Sequence, residues 1–337
     1  MDNKALQPIN KKYFAKFKKP LADMPNLVES QINSFKWLLK DGLKEIFSEF
    51  TSIKDYSGKK FQLDFTGFEL AEPKYDEYYA KDNKMSYEAP LKVKVRLKNL
   101  TLGTTKEQEI FMADFPLMTD HGTFIISGVE RVVVPQLARS FGVFFTQNEL
   151  KGKILFGSKI IPARGAWIEI ETDVDGTIFA RIDRKRKFPV TSLLRVMGAH
   201  TEKDILNLFK DSPAKAYIEK TLLKDHSKTV DESFVEIHKR LRDGDLATAD
   251  NAREFIKSIF GNERYDFSRV GRVQFNKRFG KKMTDAELEK KILSLDDIAT
   301  IINHMGVLNT TPGAMEDDID HLGSRRVRFV GEMFQQK

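Results

Sequence analysis

Residues 167–187 read WIEIETDVDGTIFARIDRKRK. Two runs, Trp167 to Thr172 and Thr177 to Asp183, flank Asp173-Val174-Asp175-Gly176, whose Asp-Gly pair supplies the positive φ that a tight hairpin needs. Strand alternation puts Ile168 and Ile170 on one face and Trp167, Glu169 and Glu171 on the other. A tryptophan on a polar face either packs under another element or stacks on a base. The hairpin runs into Arg181-Ile182-Asp183-Arg184-Lys185-Arg186-Lys187, five cations within seven residues. Such a cluster is either a solvated loop or a grip on phosphates.

Upstream, Val28, Ile32, Phe35 and Leu39 recur at helical spacing, which predicts a helix from about Asn26 to Leu39 with Asn26 and Glu29 as a cap pair. Strand patterns follow at Phe61, Leu63 and Phe65 and at Leu91, Val93, Val95 and Leu97. Lys92, Lys94, Arg96 and Lys98 interleave with the second set and form one basic face, read as a strand edge kept soluble by charge or as a DNA contact. Residues 115–145 are dense with apolar side chains, broken by Thr119-Asp120-His121-Gly122 and Ser127-Gly128 turns.

Downstream of about Met197 the pattern turns helical. Thr201 with Asp204, Thr284 with Glu287, and Ser294 with Asp297 read as capping pairs, and Gly261 and Gly306 as C-terminal caps. Leu150 to Lys153 and Asn309 to Gly313 read as linkers.

At 337 residues, with 41% hydrophobic residues and 26 Phe, the chain is globular and long enough for two or three domains. The net charge of +7 favours a polyanionic partner. With no cysteine there is no disulfide, zinc ribbon or thiol nucleophile. No apolar run approaches the roughly 18 residues of a membrane span. Met1 to Pro20 carries Lys11, Lys12, Lys16, Lys18 and Lys19 but no apolar core of a secretory signal. A cytoplasmic protein is expected, with no membrane partner.

Local enzyme motifs are missing: there is no phosphate-cradling G-x-x-x-x-G-K-[ST], no G-x-G-x-x-G after a strand and no H-E-x-x-H. The histidines are scattered, and His238 and His304 sit in helical patterns as structural residues. Glu316-Asp317-Asp318-Ile319-Asp320 could hold magnesium, but it runs into Arg325, Arg326 and Arg328, which can neutralise it.

Asp114-Phe115-Pro116-Leu117-Met118-Thr119-Asp120, Gly122 to Ile126, and Glu130-Arg131-Val132-Val133-Val134 resemble the bacterial RNA polymerase β subunits. So do Gln136-Leu137, Arg139-Ser140, Gly142 to Phe145, Ile161 to Trp167, Arg264 to Phe267, Val270-Gly271-Arg272, and Asp317 to Gly323 through Val330-Gly331-Glu332. The resemblance covers nearly the whole chain. It implies two mixed α+β domains, the family's protrusion and lobe, with the second inserted in the first. Residues 1–24 would be a basic segment, 25–145 the first protrusion segment, 146–316 the lobe and 317–337 the start of the return. Most of the drug-binding region, the active-site lysines, the flap and the clamp-binding end would lie beyond Lys337. Phe141 stands where the family has proline and Pro135 where it usually has serine.

The resemblance further implies one wall of the DNA channel, touching downstream and non-template DNA, in a nucleotidyltransferase whose magnesium is held by the partner β′ subunit. No catalytic residue, cofactor or small-molecule substrate is expected in this segment, and the α, β′, ω and sigma subunits are the expected partners. Asp320 and Arg325 resemble residues that receive a flipped-out non-template base, and Trp167 the aromatic that stacks on its neighbour. Arg181, Asp183, Arg184, Lys185, Arg186, Lys187 and Arg326 complete the expected DNA contacts, and Val143 lies at the edge of the drug pocket. The alternatives are a free-standing DNA-binding protein built from the same domains and, more remotely, a metal-dependent nuclease using Glu316 to Asp320.

Overall fold

The computed structural model describes residues 25–49, 52–55, 57–242, 248–261 and 264–336. The basic segment 1–24, with its lysines, lies outside the described residues.

In chain order the elements begin α1 (Glu29–Trp37), α2 (Leu43–Glu49), β1 (Ser52–Lys54), β2 (Phe61–Leu70), α3 (Glu77–Asp82), β3 (Glu88–Asn99), β4 (Thr104–Pro116), β5 (Phe124–Ile126) and β6 (Val129–Arg131). They continue with β7 (Gln136–Arg139), β8 (Gly142–Leu150), β9 (Lys153–Ile161), β10 (Ile168–Thr172), β11 (Ile178–Ile182) and β12 (Phe188–Pro189). A helical run follows: α4 (Val190–Met197), α5 (Glu202–Leu208), α6 (Lys215–Lys224), α7 (Val230–Leu241), α8 (Ala249–Ile259), α9 (Ser268–Phe279), α10 (Asp285–Leu288) and α11 (Leu295–Thr310). The chain closes with β13 (Arg325–Arg328) and α12 (Val330–Gln335). Antiparallel sheets and segregated helices make this an α+β fold. Among the described residues no helix is long and apolar enough to cross a membrane.

Two compact units result. The first takes residues up to Gln136 and again from Arg328; the second is Leu137–Val327. In the first, β1-β2-β3-β4 form an antiparallel sheet. Leu91, Val93 and Val95 are buried on one face of β3. The basic face opposite meets carboxylates from both neighbouring strands: Lys92 with Glu109 (3.2 Å), Lys94 with Glu69 (3.8 Å), Arg96 with Glu107 (2.5 Å) and Lys98 with Asp64 (2.8 Å). Of the two readings of this face, the geometry favours the solvated, charge-matched one. Such exposed pairs stabilise little, and their effect is to cancel the charge.

The helix expected to stop near Leu39 continues. A π turn at Leu38–Gly42 leads from α1 into α2. Asn26 and Glu29 do not form a reciprocal cap; the Asn26 side chain accepts from the Val28 amide instead (3.1 Å). Val28 is 36% exposed, whereas Phe35 and Leu38 carry the burial. The core is aromatic: Phe35 meets Phe124 edge-on at 5.5 Å, and Phe124 stacks on Phe334 at 5.5 Å. Phe334 and the fully buried Val330 come from α12, which lies against α1. The approach is close: the Gly331 amide donates to Ser34 Oγ (3.0 Å), and a Cβ at Gly331 would run into the Ser34 carbonyl oxygen.

The second unit is built on a meander, β12-β11-β10-β9-β8, with each strand antiparallel to the next. Leu150 to Lys153 is the turn of the β8–β9 hairpin rather than a linker: Leu150 faces Lys153, and Lys151 and Gly152 have φ of 52° and 73°. Helical structure begins at Val190, earlier than the sequence pattern suggested, and Val190 to Arg195 are all buried. Thr201/Asp204 and Ser294/Asp297 are capping boxes, as is the unforeseen Thr229/Glu232, while the Thr284 side chain makes no cap bond. Gly306 does not end α11 but lies within it, where a Cβ would collide with the Ala214 backbone. Asn309 is likewise no linker. Its side chain accepts from the Phe156 amide (2.8 Å) and donates to Thr172 Oγ1 (3.1 Å), tying α11 to β9 and β10.

Two buried ion pairs brace the helices. Arg195 of α4 bonds Asp225 (2.6 Å), both side chains fully buried, and Thr191 and Ser227 also donate to that carboxylate. Arg272 of α9 bonds Asp297 of α11 (2.7 Å) and the carbonyl oxygen of Lys290 (2.8 Å). Burial opposes the charged form of Asp225, but hydrogen bonds from Thr191, Ser227 and Arg195 outweigh it and hold the carboxyl below its usual range.

Two outcomes follow for stability. Gly331→Ala should destabilise the first unit by about 1–3 kcal/mol through overpacking. Hydrogen exchange should show the loss in α1 and α12, with β8 to β11 unchanged. Because Asp225 is depressed in the folded state, its contribution is complete above the unfolded carboxylate pKa of about 4 and is lost as pH falls through the folded value. Asp225→Asn should therefore flatten the acid limb of stability against pH in urea denaturation. At neutral pH it should cost about 3–5 kcal/mol by leaving the buried Arg195 only its longer contact with Glu202 (4.0 Å).

Candidate nucleic-acid interface

The hairpin reads in the structure as it does in the sequence. Ile168, Ile170 and Thr172 face Ile182, Ala180 and Ile178 across β10 and β11, and Gly176 takes φ of 84° in the turn. The apolar face is buried, so the rim is held rigid by the core of the second unit. The polar face is less open than alternation implies. Glu169 is 9% exposed beside Lys159 (3.8 Å), and Glu171 pairs with Arg181 (3.4 Å).

Beyond Ile182 the chain turns through Asp183 and Arg184, whose φ values of 49° and 58° are unusual for side-chain-bearing residues. The turn is clasped at its base: the Asp183 amide donates to the Trp167 carbonyl (2.9 Å), and the Trp167 amide donates to Asp183 Oδ1 (2.8 Å). Trp167 is half-buried, and the Arg184 guanidinium lies 5.7 Å from its ring centroid. Lys187 pairs with Asp173 (2.8 Å) and caps the Phe179 ring at 4.5 Å. Lys187 and then the Val174 amide hold the Asp173 carboxyl below its usual range. Arg181, Arg184, Lys185 and Arg186 line a cleft of about 380 Å³ together with Arg240 and Leu241 of α7. Arg240 was not foreseen. Its signal is the basic end of α7, His238-Lys239-Arg240, which becomes informative only once the helix is placed beside the hairpin.

The return segment spends its acids locally. Asp317 donates its amide to the Phe145 carbonyl (2.9 Å), and its Oδ2 accepts from the Phe145 amide (2.7 Å). Arg278 grips the same carboxylate at 2.7 and 2.9 Å while lying 4.5 Å from the Phe145 ring centroid. Glu316 accepts from the Gln147 amide (3.0 Å), and Asp318 from the amides of Asp320 and His321 (both 3.0 Å). Among the described residues no group of three or more His, Asp or Glu side chains could hold a metal ion.

Asp320 and Arg325 come together as an ion pair at 2.5 Å, with the Asp320 side chain 76% exposed. Arg326 lies over Phe141 at 4.0 Å. Trp167 has its partners elsewhere, in Asp183 and Arg184. Val143 is buried in the core on β8. His304 sits edge-on to Phe145 at 4.6 Å, with its pKa lowered by burial and then by Arg278. The arrangement offers cations, a flat ring and an exposed acceptor, which suits binding of a charged polymer.

Residues 139–328 match the family model described as RNA polymerase Rpb2, domain 2. The chain is similar to the DNA-directed RNA polymerase subunit beta of Chloroflexus aggregans, 42% identical over 371 aligned positions that cover all of this chain and 30% of that protein. It is equally similar to the subunit of the same name from Syntrophomonas wolfei, 42% identical over 326 positions, covering 96% of this chain and 29% of that one. The chain thus spans about 30% of the length of the curated relatives it matches. It belongs to the RNA polymerase Rpb2, domain 2 family and corresponds to a part of the bacterial RNA polymerase β subunit.

Proposed function

We propose that this part of the β subunit lines the DNA channel of a DNA-directed RNA polymerase and touches downstream and non-template DNA. The observation that carries the reading is the cleft at the hairpin end, where Arg181, Arg184, Lys185, Arg186 and Arg240 converge from two elements. Cations focused on one cleft attract a polyanion, and guanidinium forks suit phosphate oxygens. The second unit is then the lobe and the first the protrusion. Catalysis needs the assembled enzyme: magnesium belongs to the partner β′ subunit, and α, ω and sigma complete the set, in the cytoplasm.

Asp320 and Arg325 are the proposed receivers of an extruded base. Their ion pair is exposed and therefore weak, so a base edge that offers both donor and acceptor can replace it. Trp167 gives a stacking face once Arg184 swings from its ring toward a phosphate. A second reading rests on the same pair: Asp320 and Arg325 hold the return loop together and read nothing.

Two measurements address these roles. DNA binding by the 337-residue chain should fall with salt at a log–log slope of about −0.9 per phosphate neutralised. Replacing Arg184, Arg186 and Arg240 by Ala should flatten that slope by roughly one to three units. An unchanged slope turns the cleft away from DNA. In the assembled enzyme, Asp320→Ala should weaken the preference for one non-template base by about 1–3 kcal/mol while leaving overall DNA affinity nearly intact. Equal changes in open-complex lifetime for all four bases would leave Asp320 a structural residue.

A further inference from the structure

The four residues Ile182 to Lys185 form a turn closed by the Lys185 amide, which donates to the Ile182 carbonyl (3.0 Å). Its two central residues, Asp183 and Arg184, both have positive φ, 49° and 58°, which fits a type I′ turn. Such turns favour Asn, Asp or Gly at their centre, because a longer side chain strains the left-handed backbone. Asp183 suits its place. Arg184 does not, and glycine would be the low-strain residue there. Strained residues persist where their surroundings hold them and cluster at functional sites, so the arginine is retained for its side chain.

What holds the turn is Asp183. Its Oδ1 accepts from the Trp167 amide (2.8 Å), and its own amide donates to the Trp167 carbonyl (2.9 Å), so one residue engages both backbone polar groups of Trp167. Next to this clasp Ile168 faces Ile182, both fully buried, which fixes the two arms from which the turn and the ring project. The Arg184 guanidinium then lies 5.7 Å from the centroid of the half-buried Trp167 ring. Asp183 itself is exposed beside the cations Arg184, Lys185 and Arg186. An acid in that place repels the phosphates those cations would hold, so its presence calls for another role.

We propose that Asp183 is a positioning residue for the DNA contact and acts through its neighbours rather than by touching DNA. Its carboxylate fixes the turn so that the Arg184 guanidinium and the Trp167 ring are presented together, one to a phosphate and the other to an unstacked base. The inference rests on the DNA-contact reading given above. With its backbone held, Arg184 exchanges an exposed ring contact for a phosphate by a side-chain rotation alone, and no loop has to be ordered on binding.

Charge and position predict opposite signs, which makes the role testable. If only charge matters, removing an acid beside a cationic cleft tightens DNA binding whatever replaces it. Asp183→Asn removes the charge but keeps the oxygen that accepts from the Trp167 amide, and Asn tolerates positive φ. Asp183→Ala removes charge and acceptor together. Binding of a fluorescein-labelled DNA fork to the 337-residue chain is followed by anisotropy, with thermal melts showing each variant folded. Asp183→Ala should bind about three- to tenfold more weakly than wild type, and Asp183→Asn at least as tightly as wild type. A second readout needs no DNA. With Trp37→Phe in every chain, Trp167 is the one remaining tryptophan. Acrylamide quenching of its fluorescence should rise in Asp183→Ala and stay at the wild-type level in Asp183→Asn. Tighter binding by both variants, or equal binding by all three chains, would overturn the positioning role and leave the DNA reading standing. Absence of salt-sensitive binding by the wild-type chain would sink the DNA reading, and this inference with it.

Discussion

The first unit cannot close without residues that arrive some three hundred positions after its first helix. Val330 and Phe334 of α12 pack against Phe35 and Phe124, and the Gly331 backbone meets Ser34 with no room for a side chain. Everything between Gln136 and Arg328 is consequently an excursion that must bring the chain back to its point of departure. The pairing of β7 with β13 meets that requirement, because the strands that carry the chain out and back are hydrogen-bonded to each other. The Asp317–Phe145–Arg278 clamp adds a second tie just inside it.

Charge is the second organising theme, and what matters is whether a cation has a matched acid. On β3 every cation of the basic face has a carboxylate across the strand, so a face that looks like a polyanion site in one strand disappears in the sheet. At the hairpin end the cations come from two elements and converge on one cleft. Glu171, Asp173 and Glu236 answer Arg181, Lys187 and Arg240, while Asp183 is engaged with the Trp167 backbone. The proposal of DNA contact rests on that convergence.

Legibility in the sequence followed the range of the interaction involved. The β10–β11 hairpin, with its Asp-Gly turn, and the Thr201 and Ser294 capping boxes are decided within a few residues and could be read directly. Gly306 could not. A glycine in a helix near an apolar run looks like a cap, and only the approach of Ala214 shows that its missing side chain serves packing. Lys151-Gly152 resembles a linker locally, and only the pairing of β8 with β9 on either side of it makes it a hairpin turn. Within the candidate site, Trp167 and the cations from Arg181 to Lys187 were visible as a run, but Arg240 joined them only through the tertiary placement of α7. The Asp320–Arg325 pair was legible as charge complementarity, and the structure adds that the two side chains meet.

The meander order of the second sheet has a consequence for the life of the chain before it is complete. Each of its strands pairs with a neighbour in sequence, so its contacts are local and inexpensive in loop entropy. This sheet can form once β12 has been made, while the later helices are still to come. The first unit cannot: at about 5–20 residues per second its closing helix appears roughly 10–40 s after Gln136 has been made. During that interval Phe35, Phe115 and Phe124 lack the partner that covers them. The first unit thus keeps those rings uncovered for the whole time in which the second unit is being made.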